Sequence, residues 1–472
     1  MNSKSSSNRR KRIVVDNIHG DIELSEIEWR VVNTASFQRL RSLKQLGMGH
    51  LVYPNATHTR FAHSLGVFKV MSRIVRMLEE ENVLEIEERE NLRLAALLHD
   101  IGHYPYSHLM ERVDRVKLTE EEVGDGTAKR ELPSGTKYPK HEELGQFILA
   151  QQADIRDALG GLDRANKVAD LFMRNPAADQ NLSKLIHSSL DMDRLDYLLR
   201  DARAAGVPYG EIDLNYLLNT IRVSKTGALG VEFMALPAAV HLLIARLYMH
   251  RVVYFHKTIF GMEEACRQLL KRLRQKAEKY SMAKDGTAIH EICGGPNFNT
   301  FTDDYVDRII KQATGDDDPI ISTLAQCITN RKPPRLLAEV GGLHDSHEKF
   351  NPCSFFRTNC KNQLAALASK YDIPLGQFLL AGPPGIKVEE RGSRMTLEEA
   401  KEVEADREEL IKVFVPNSDE PKSLVEIDGS VIQHLANHQF EIARLYLADL
   451  SDKAAQRLPE IRAEVAKWKE PA

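Results

Sequence analysis

The stretch Leu97-Leu98-His99-Asp100-Ile101-Gly102-His103-Tyr104-Pro105-Tyr106-Ser107-His108 constrains this chain more than any other. An apolar run, Leu92 to Leu98, predicts a buried helix that ends in His-Asp and then meets a glycine. Polar rings and a carboxylate so close to a core are costly to bury without a partner. A lone His-Asp pair at a helix end is ordinarily structural. Two other segments change that reading. Thr59-Arg60-Phe61-Ala62-His63-Ser64-Leu65-Gly66-Val67 opens an amphipathic helix. Leu190-Asp191-Met192-Asp193-Arg194-Leu195-Asp196-Tyr197-Leu198-Leu199-Arg200-Asp201 puts Asp193 and Tyr197 on one helix face, with Asp201 one turn further. Three helices can therefore bring His63, His99, Asp100 and Asp193 to one point. Two imidazoles and two carboxylates suit a divalent ion of intermediate hardness: iron, manganese, nickel or zinc. Four protein ligands leave positions open for water and a phosphate oxygen, as catalysis requires.

The rest of the chain bounds what surrounds such a site. At 472 residues it is long enough for two or three domains, or one large helical domain with additions. Lys+Arg number 64 against Asp+Glu 68, so nothing draws the whole molecule to nucleic acid. Five cysteines without a CxxC pair exclude a zinc ribbon or disulfide scaffold and fit a reducing, cytoplasmic setting. No apolar run is expected to approach the ~18 residues that span a bilayer, so no membrane partner is expected. Met1 to Arg12 is Ser-rich and basic, a disordered tail rather than a secretory signal. Hairpins are expected at Ile13–Val15 with Asp21–Leu24, and at Thr220–Ser224 with Gly230–Phe233 across Lys225-Thr226-Gly227. Helices are expected over about 26–45, 60–81, 84–100, 140–157, 180–203 and 235–280. Gly382-Pro383-Pro384-Gly385 marks a loop, 388–410 an acidic solvated stretch, and Ile411–Val415 and Leu424–Ile427 β-rich runs before a final helical pair over about 430–468. The fold class is mainly α with small β-hairpins. A helical core over 13–285 follows the tail 1–12 and precedes a smaller mixed α+β region, 286–472, with a regulatory or oligomerisation role.

The three segments together, RFAHSLGV, HDIGHYPYSH and DMDRLDYLLRD, resemble the HD-domain deoxynucleoside triphosphate (dNTP) triphosphohydrolases of vertebrates and bacteria. The likeness extends to Asn17–Gly20, Phe37–Gly47 and His250–Lys257, and covers roughly residues 12–280. Its early start leaves no room for the sterile-alpha-motif domain of the vertebrate enzyme within this chain. By resemblance, the metal ligands are His63, His99, Asp100 and Asp193. His108 matches the catalytic histidine, Glu111 its acidic partner, and His103 and His141 further active-site histidines. Arg60, Arg194, Tyr197 and Arg246 match contacts to substrate phosphates. Gln45, Asp201 and Tyr254 match residues around the deoxyribose, with His250 beside them. The implied reaction is dNTP plus water to deoxynucleoside plus triphosphate. A nucleoside triphosphate carries about four negative charges, so a rim of arginines and a divalent ion, with magnesium accompanying the nucleotide, are what the chemistry needs. The 5′-oxygen leaves poorly unless protonated, and His108 is the expected general acid.

The resemblance also implies a homotetramer or other homo-oligomer with a nucleotide activator bound between subunits. Gln38 and Arg41 match part of that activator site. Asn33 stands where an aspartate reads guanine, and Glu232, Met234 and Ala238 replace its basic and amide contacts, while Arg331 and Arg335 form another cationic pair. Activation by GTP is therefore not expected. Two other readings remain open: an HD phosphohydrolase acting on another nucleotide, and a nucleotide sensor or nucleic-acid binder using basic stretches such as Arg267–Lys279.

Overall fold

The computed structural model describes residues 12–80, 84–111, 113, 137–173, 186, 190–224, 228–345, 348, 350–382, 386–387, 411–427, 430–435, 438–449 and 451–469. The N-terminal tail up to residue 11, the turn 225–227, the start of the helix expected from 180, Pro383 to Gly385 and the acidic stretch 388–410 lie outside the described residues. The protein is mainly α-helical with small β-sheets. β1 (Arg12–Asp16) and β2 (Gly20–Leu24) form an antiparallel hairpin. Helices α1 (Glu26–Val32), α2 (Ala35–Gln38), α3 (Arg60–Glu80), α4 (Ile86–Leu98), α5 (His108–Glu111), α6 (His141–Gln151), α7 (Ala153–Leu159), α8 (Leu162–Phe172) and α9 (Met192–Ala205) follow. Then come α10 (Leu214–Asn219), the hairpin β3 (Ile221–Val223) and β4 (Leu229–Glu232), α11 (Leu236–Met249), α12 (Lys257–Gln275), α13 (Ala277–Tyr280), α14 (Gly286–Gly294), α15 (Asp303–Ala313) and α16 (Pro319–Thr329).

One continuous apolar core runs from Ile22 through α3, α4, α9, α12 and Cys327 in α16 to Leu379, Val413 and Tyr446 near the C-terminus. A second core lies under an antiparallel sheet. There β10 (His438–Leu447) sits between β5 (Arg335–Asp345) and β6 (Phe378–Ala381), with the short β7 (Ile386–Lys387) also paired to β10 and with α17 (Pro352–Tyr371) and α19 (Asp452–Ala466) packed on it, while β8 (Lys412–Phe414) and β9 (Lys422–Ser423) extend the β3–β4 hairpin.

Several expected helices are interrupted. The 26–45 stretch breaks at Thr34, whose side chain caps α2, and then tightens into a 3₁₀ turn, Arg39–Ser42. The 140–157 stretch divides at extended Gln152, whose side-chain amide donates to the Cys293 and Gly295 carbonyls. The 235–280 stretch breaks into α11, a π turn at His250–Tyr254, and α12 capped by His256. The final helical pair is corrected: α18 (Val431–Leu435) is one turn, and strand β10 replaces most of the first helix. β10 is buried along most of its length, so its sequence lacks the alternation that marks a half-exposed strand. Leu424–Glu426 is likewise a 3₁₀ turn beside the short strand Lys422–Ser423, not a strand itself.

The expectation about apolar length also needs correcting. Among the described residues, the helical stretch Phe233–Tyr254 is long and apolar enough to cross a membrane by length and composition. It also carries Arg246 and His250, and its Leu242, Leu243, Met249 and Val253 pack into the first core.

Candidate metal and phosphohydrolase site

His63 sits on the first turns of α3, fully buried, and both ring nitrogens face carboxylates. Its Nδ1 donates to Asp196 Oδ2 at 2.7 Å, because a carboxylate only accepts. That fixes the tautomer and leaves Nε2 pointing at Asp193 Oδ1, 2.8 Å away. Burial alone would depress this imidazole, but Asp193 and Asp196 outweigh it and push the ring up to about 10. In the ion-free arrangement a proton thus supplies positive charge between two carboxylates.

His99 caps α4, and its Nδ1 donates back to the Ala96 carbonyl at 2.8 Å. Its Nε2 is left buried and without a hydrogen-bond partner. Buried polar atoms are nearly always satisfied, so this orphaned nitrogen, with His63 Nε2 and Asp193 beside it, fits a cation-binding group. One ligand atom each from His63, His99 and Asp193 lies within 4.8 Å of the others. Asp100 borders this group, 3.3 Å from His99 Nε2 and 3.8 Å from His63 Nε2. Here its oxygens are engaged, Oδ2 by Arg60 at 2.6 Å and Oδ1 by His103 at 3.1 Å. The donor set, two neutral imidazoles and two carboxylates, suits a divalent ion and does not distinguish which one.

A second layer orients this group, and here the sequence reading missed residues. Asp196 accepts from His63, from His19 Nε2 at 2.6 Å and from Arg200 Nε at 2.8 Å. Arg200 also donates to Asp16 at 2.8 Å, which ties the β1–β2 hairpin to α9. This network needs close helix approach. A Cβ on Gly66 would lie 1.9 Å from Asp196 Oδ1 and 2.4 Å from Arg200. The available signal was the Asp196–Arg200 spacing, four residues apart on one helix face.

Beyond Asp100 lies a group of three histidines. The rings of His103 and His141 stack 4.1 Å apart, and His108 stands edge-on to both at 5.1 Å and 5.2 Å. Glu111 accepts from His108 Nδ1 at 2.7 Å and from His141 Nδ1 at 3.2 Å. Burial opposes ionisation of Glu111, but those two imidazoles overcome it and hold the carboxyl far below its usual range. His103 is kept neutral, first by burial and then by the charges of Arg60 and His141. The chain reaches His108 through Tyr106 and Ser107, both left-handed at φ 54° and 56°. This rare backbone is held by Asp303, which accepts the Tyr106 N–H at 2.8 Å, and by Arg60, which donates to Ser107 Oγ at 2.9 Å.

A third group adjoins α9. Tyr254 donates to Asp201 Oδ2 at 2.8 Å, and His58, another residue the sequence reading missed, bonds Asp201 Oδ1 at 2.7 Å. Gln45 pairs through its backbone N–H with the His58 carbonyl, and its side-chain oxygen is buried without a partner. Tyr197 and His250 both pack edge-on to Tyr254. Burial raises Tyr197 and lowers His250, and the charges of Arg194 and Arg246 reach both. The π turn carries His250 and Tyr254, and such insertions recur where function needs an off-register side chain.

The residues matched to an activator site are more scattered. Asn33 caps α1 and donates to the Trp29 carbonyl; Gln38 accepts from Arg41, whose guanidinium lies 3.6 Å over the Phe61 ring. Arg331 donates to the Leu51 carbonyl, and Arg335 begins β5, paired with Leu447. The basic stretch Arg267–Lys279 is largely engaged within the protein. Arg267 pairs with Glu264, Arg274 bonds the Lys284 carbonyl, and Lys276 and Lys279 both hold Asp316.

Residues 60–200 match the HD domain family. An uncharacterized protein of Methanocaldococcus jannaschii is 34% identical over 251 residues, 52% of this chain and 47% of that one. The Homo sapiens deoxynucleoside triphosphate triphosphohydrolase SAMHD1 is 34% identical over 211 residues, 42% of this chain and 34% of that one. The chain spans about half the length of the first curated relatives it matches. A solved phosphohydrolase from Bacteroides thetaiotaomicron shares the fold, with a TM-score of 0.67, 23% identity, and coverage of 93% of this chain and 99% of that one. A hypothetical protein from Aquifex aeolicus does so at TM-score 0.69 and 24% identity, covering 96% and 100%. HD-domain proteins bind divalent metals, and the orphaned Nε2 of His99, with His63 and Asp193 beside it, fits one.

Proposed function

We propose that the protein is a metal-dependent phosphohydrolase that cleaves dNTPs to deoxynucleoside and triphosphate. The observation that carries this reading is the adjacency of the three groups: an ion-ready cluster, a carboxylate-linked pair of imidazoles, and the polar group of Tyr254 and Asp201 with an unpaired Gln45 oxygen. His63, His99, Asp100 and Asp193 would hold the ion, which when bound supplies Lewis-acid polarisation of the α-phosphate and an acidified water. Arg60, Arg194 and Arg246 would neutralise the phosphates. His108, exposed and held at Nδ1 by Glu111, would deliver its Nε2 proton to the departing 5′-oxygen and regain one from solvent. The Tyr254 ring beside Asp201 would stand where a 2′-hydroxyl would go, while Gln45 and Asp201 bind the 3′-hydroxyl. Assembly into a homo-oligomer belongs to the same reading; the exposed Phe233, Met234 and Tyr248 give an apolar face a second copy could cover.

The test is incubation of metal-loaded protein with each dNTP and each ribo-NTP, with products separated by chromatography. Deoxynucleoside and intact triphosphate are expected, with ribo-NTPs poor substrates. Stepwise phosphate release, or equal turnover of ribo-NTPs, would overturn the assignment.

A further inference from the structure

We propose that a cavity lined by the β1–β2 turn and α3 binds a small phosphate monoester, and that its occupation tightens ion binding at the His63 cluster. The cavity measures about 380 Å³, within the roughly 300–1,000 Å³ usual for small-molecule sites. Lys69 and Arg73 line it from one face of α3, one turn apart. Both are half-buried and held by neutral groups. Lys69 Nζ donates to the Asp21 carbonyl at 2.6 Å, and Arg73 donates to Asn215 Oδ1 at 2.9 Å. Neither has a carboxylate partner among the described residues. Arg203 repeats the pattern beside the same turn, donating to the Asn17 carbonyl at 2.8 Å. Cations fixed in this way are aimed in advance at a phosphate, which takes charge-assisted hydrogen bonds from both. Among the described lining residues one carboxylate, Asp213, faces the two cations, so the lining stays positive. Asp213 spends one oxygen on the Tyr216 N–H and offers the other to a ligand hydroxyl. Ile18, Leu199, Ile212 and Leu214 make the wall apolar, which suits a ring and would be wasted on an inorganic ion. None of the residues matched to an activator site lines this cavity.

His19 connects the cavity to the ion cluster. It lines the cavity, and its Nε2 donates to Asp196 Oδ1 at 2.6 Å, while Asp196 Oδ2 holds His63 Nδ1. A ligand that bridges the turn to α3 keeps His19 in place, and with it the brace that aims His63 Nε2. This coupling rests on the metal reading proposed above. It is reciprocal, so the ion tightens the ligand by the same factor.

The test titrates the full chain by calorimetry with adenosine 5′-monophosphate, inorganic phosphate and adenosine, and soaks wild-type crystals with each. The monophosphate is neither substrate nor product of the reaction proposed above. It is expected to bind at least tenfold more tightly than either fragment, with its phosphate against Lys69 and Arg73. The double variant Lys69→Ala, Arg73→Ala should weaken it at least tenfold, and Arg194→Ala should not. Bound monophosphate should tighten manganese binding about fivefold in the parent. It should have no such effect in the double variant, whose manganese affinity alone should match the parent's. The crystal soak is independent of how the variants fold. No density in the cavity would overturn the site. Inorganic phosphate binding as tightly as the monophosphate would mean an adventitious ion only and would overturn it too. Monophosphate in the cavity with manganese affinity unchanged would overturn the coupling. No manganese binding under any condition, with the monophosphate still in the cavity, would instead defeat the metal reading and leave the ligand site standing.

Discussion

His63 shows what one residue has to satisfy. Its Nδ1 must be held so that its Nε2 is free to bind, and Asp196 does this from α9, braced by His19 and Arg200. Removing such a brace typically costs 10–100-fold in metal affinity. Asp196→Asn is therefore expected to bind manganese about 10–100-fold more weakly by calorimetry while His63 and Asp193 remain. Gly66→Ala should do the same through sterics alone, since its Cβ would displace Asp196. Unchanged affinity in both would mean His63 needs no brace. The four proposed metal ligands stood out only when three separate segments were taken together, since a lone His-Asp pair at a helix end is ordinarily structural. The bracing residues did not stand out. Asp16 and His19 look like ordinary surface groups until the fold brings their hairpin onto α9, where His19 meets Asp196 across 177 residues of sequence. His58 was hidden for the same reason, in a loop whose partner Asp201 lies 143 residues on.

At the scale of elements, helix existence was readable and helix interruption was not. Hydrophobic periodicity runs straight through residues 235–280, yet the chain breaks at the π turn to swing Tyr254 onto Asp201. Tyr254→Phe removes that hydrogen bond, and one bond to a charged group is worth about 1.5–3 kcal/mol. A fall of about tenfold or more in kcat/KM for dNTPs is expected, with selectivity against ribo-NTPs retained because the ring stays. The loop after α4 shows a similar dependence on distant contacts. Buried Arg39 donates to the carbonyls of Ile101 at 3.1 Å, His103 at 2.5 Å and Phe301 at 2.8 Å. Burial lowers its guanidinium to about 10, so it still carries its proton at neutral pH. Arg39→Met would leave three buried carbonyls unpaired and should lower the unfolding free energy by about 3 kcal/mol, read by urea denaturation. A loss under 1 kcal/mol would show the loop to be held otherwise.

Across the whole molecule, segments far down the chain hold the site. Asp303 in α15 anchors the strained Tyr106, and β10 reaches back through Arg444 to the Phe255 carbonyl at 2.6 Å and through Tyr446 to the Lys257 carbonyl at 2.8 Å. Nothing in the sequence pairs these residues, so the contribution of the C-terminal half could not be read in advance. Asp316, at the turn between α15 and α16, gives this packing a pH dependence. Burial would raise its carboxyl, but Lys279, Tyr280 and Lys276 hold it below the usual range. A depressed carboxylate stabilises the fold above its unfolded pKa of about 3.9, and that contribution is lost as pH falls through the folded value. Asp316→Asn should be less stable than the parent by about 2 kcal/mol at pH 7. The gap should close as pH drops below about 3.9. A gap independent of pH would assign the loss to packing instead.

The account as a whole requires the side chains of three segments to share one cation. Anomalous diffraction at the manganese edge, from crystals of protein loaded with a single equivalent, measures this directly. One peak is predicted within coordinating distance of His63 Nε2, His99 Nε2, Asp193 and Asp100, with the Arg60 and His103 contacts to Asp100 adjusted to suit. A peak elsewhere, or none while His63 remains paired with Asp193, would contradict it.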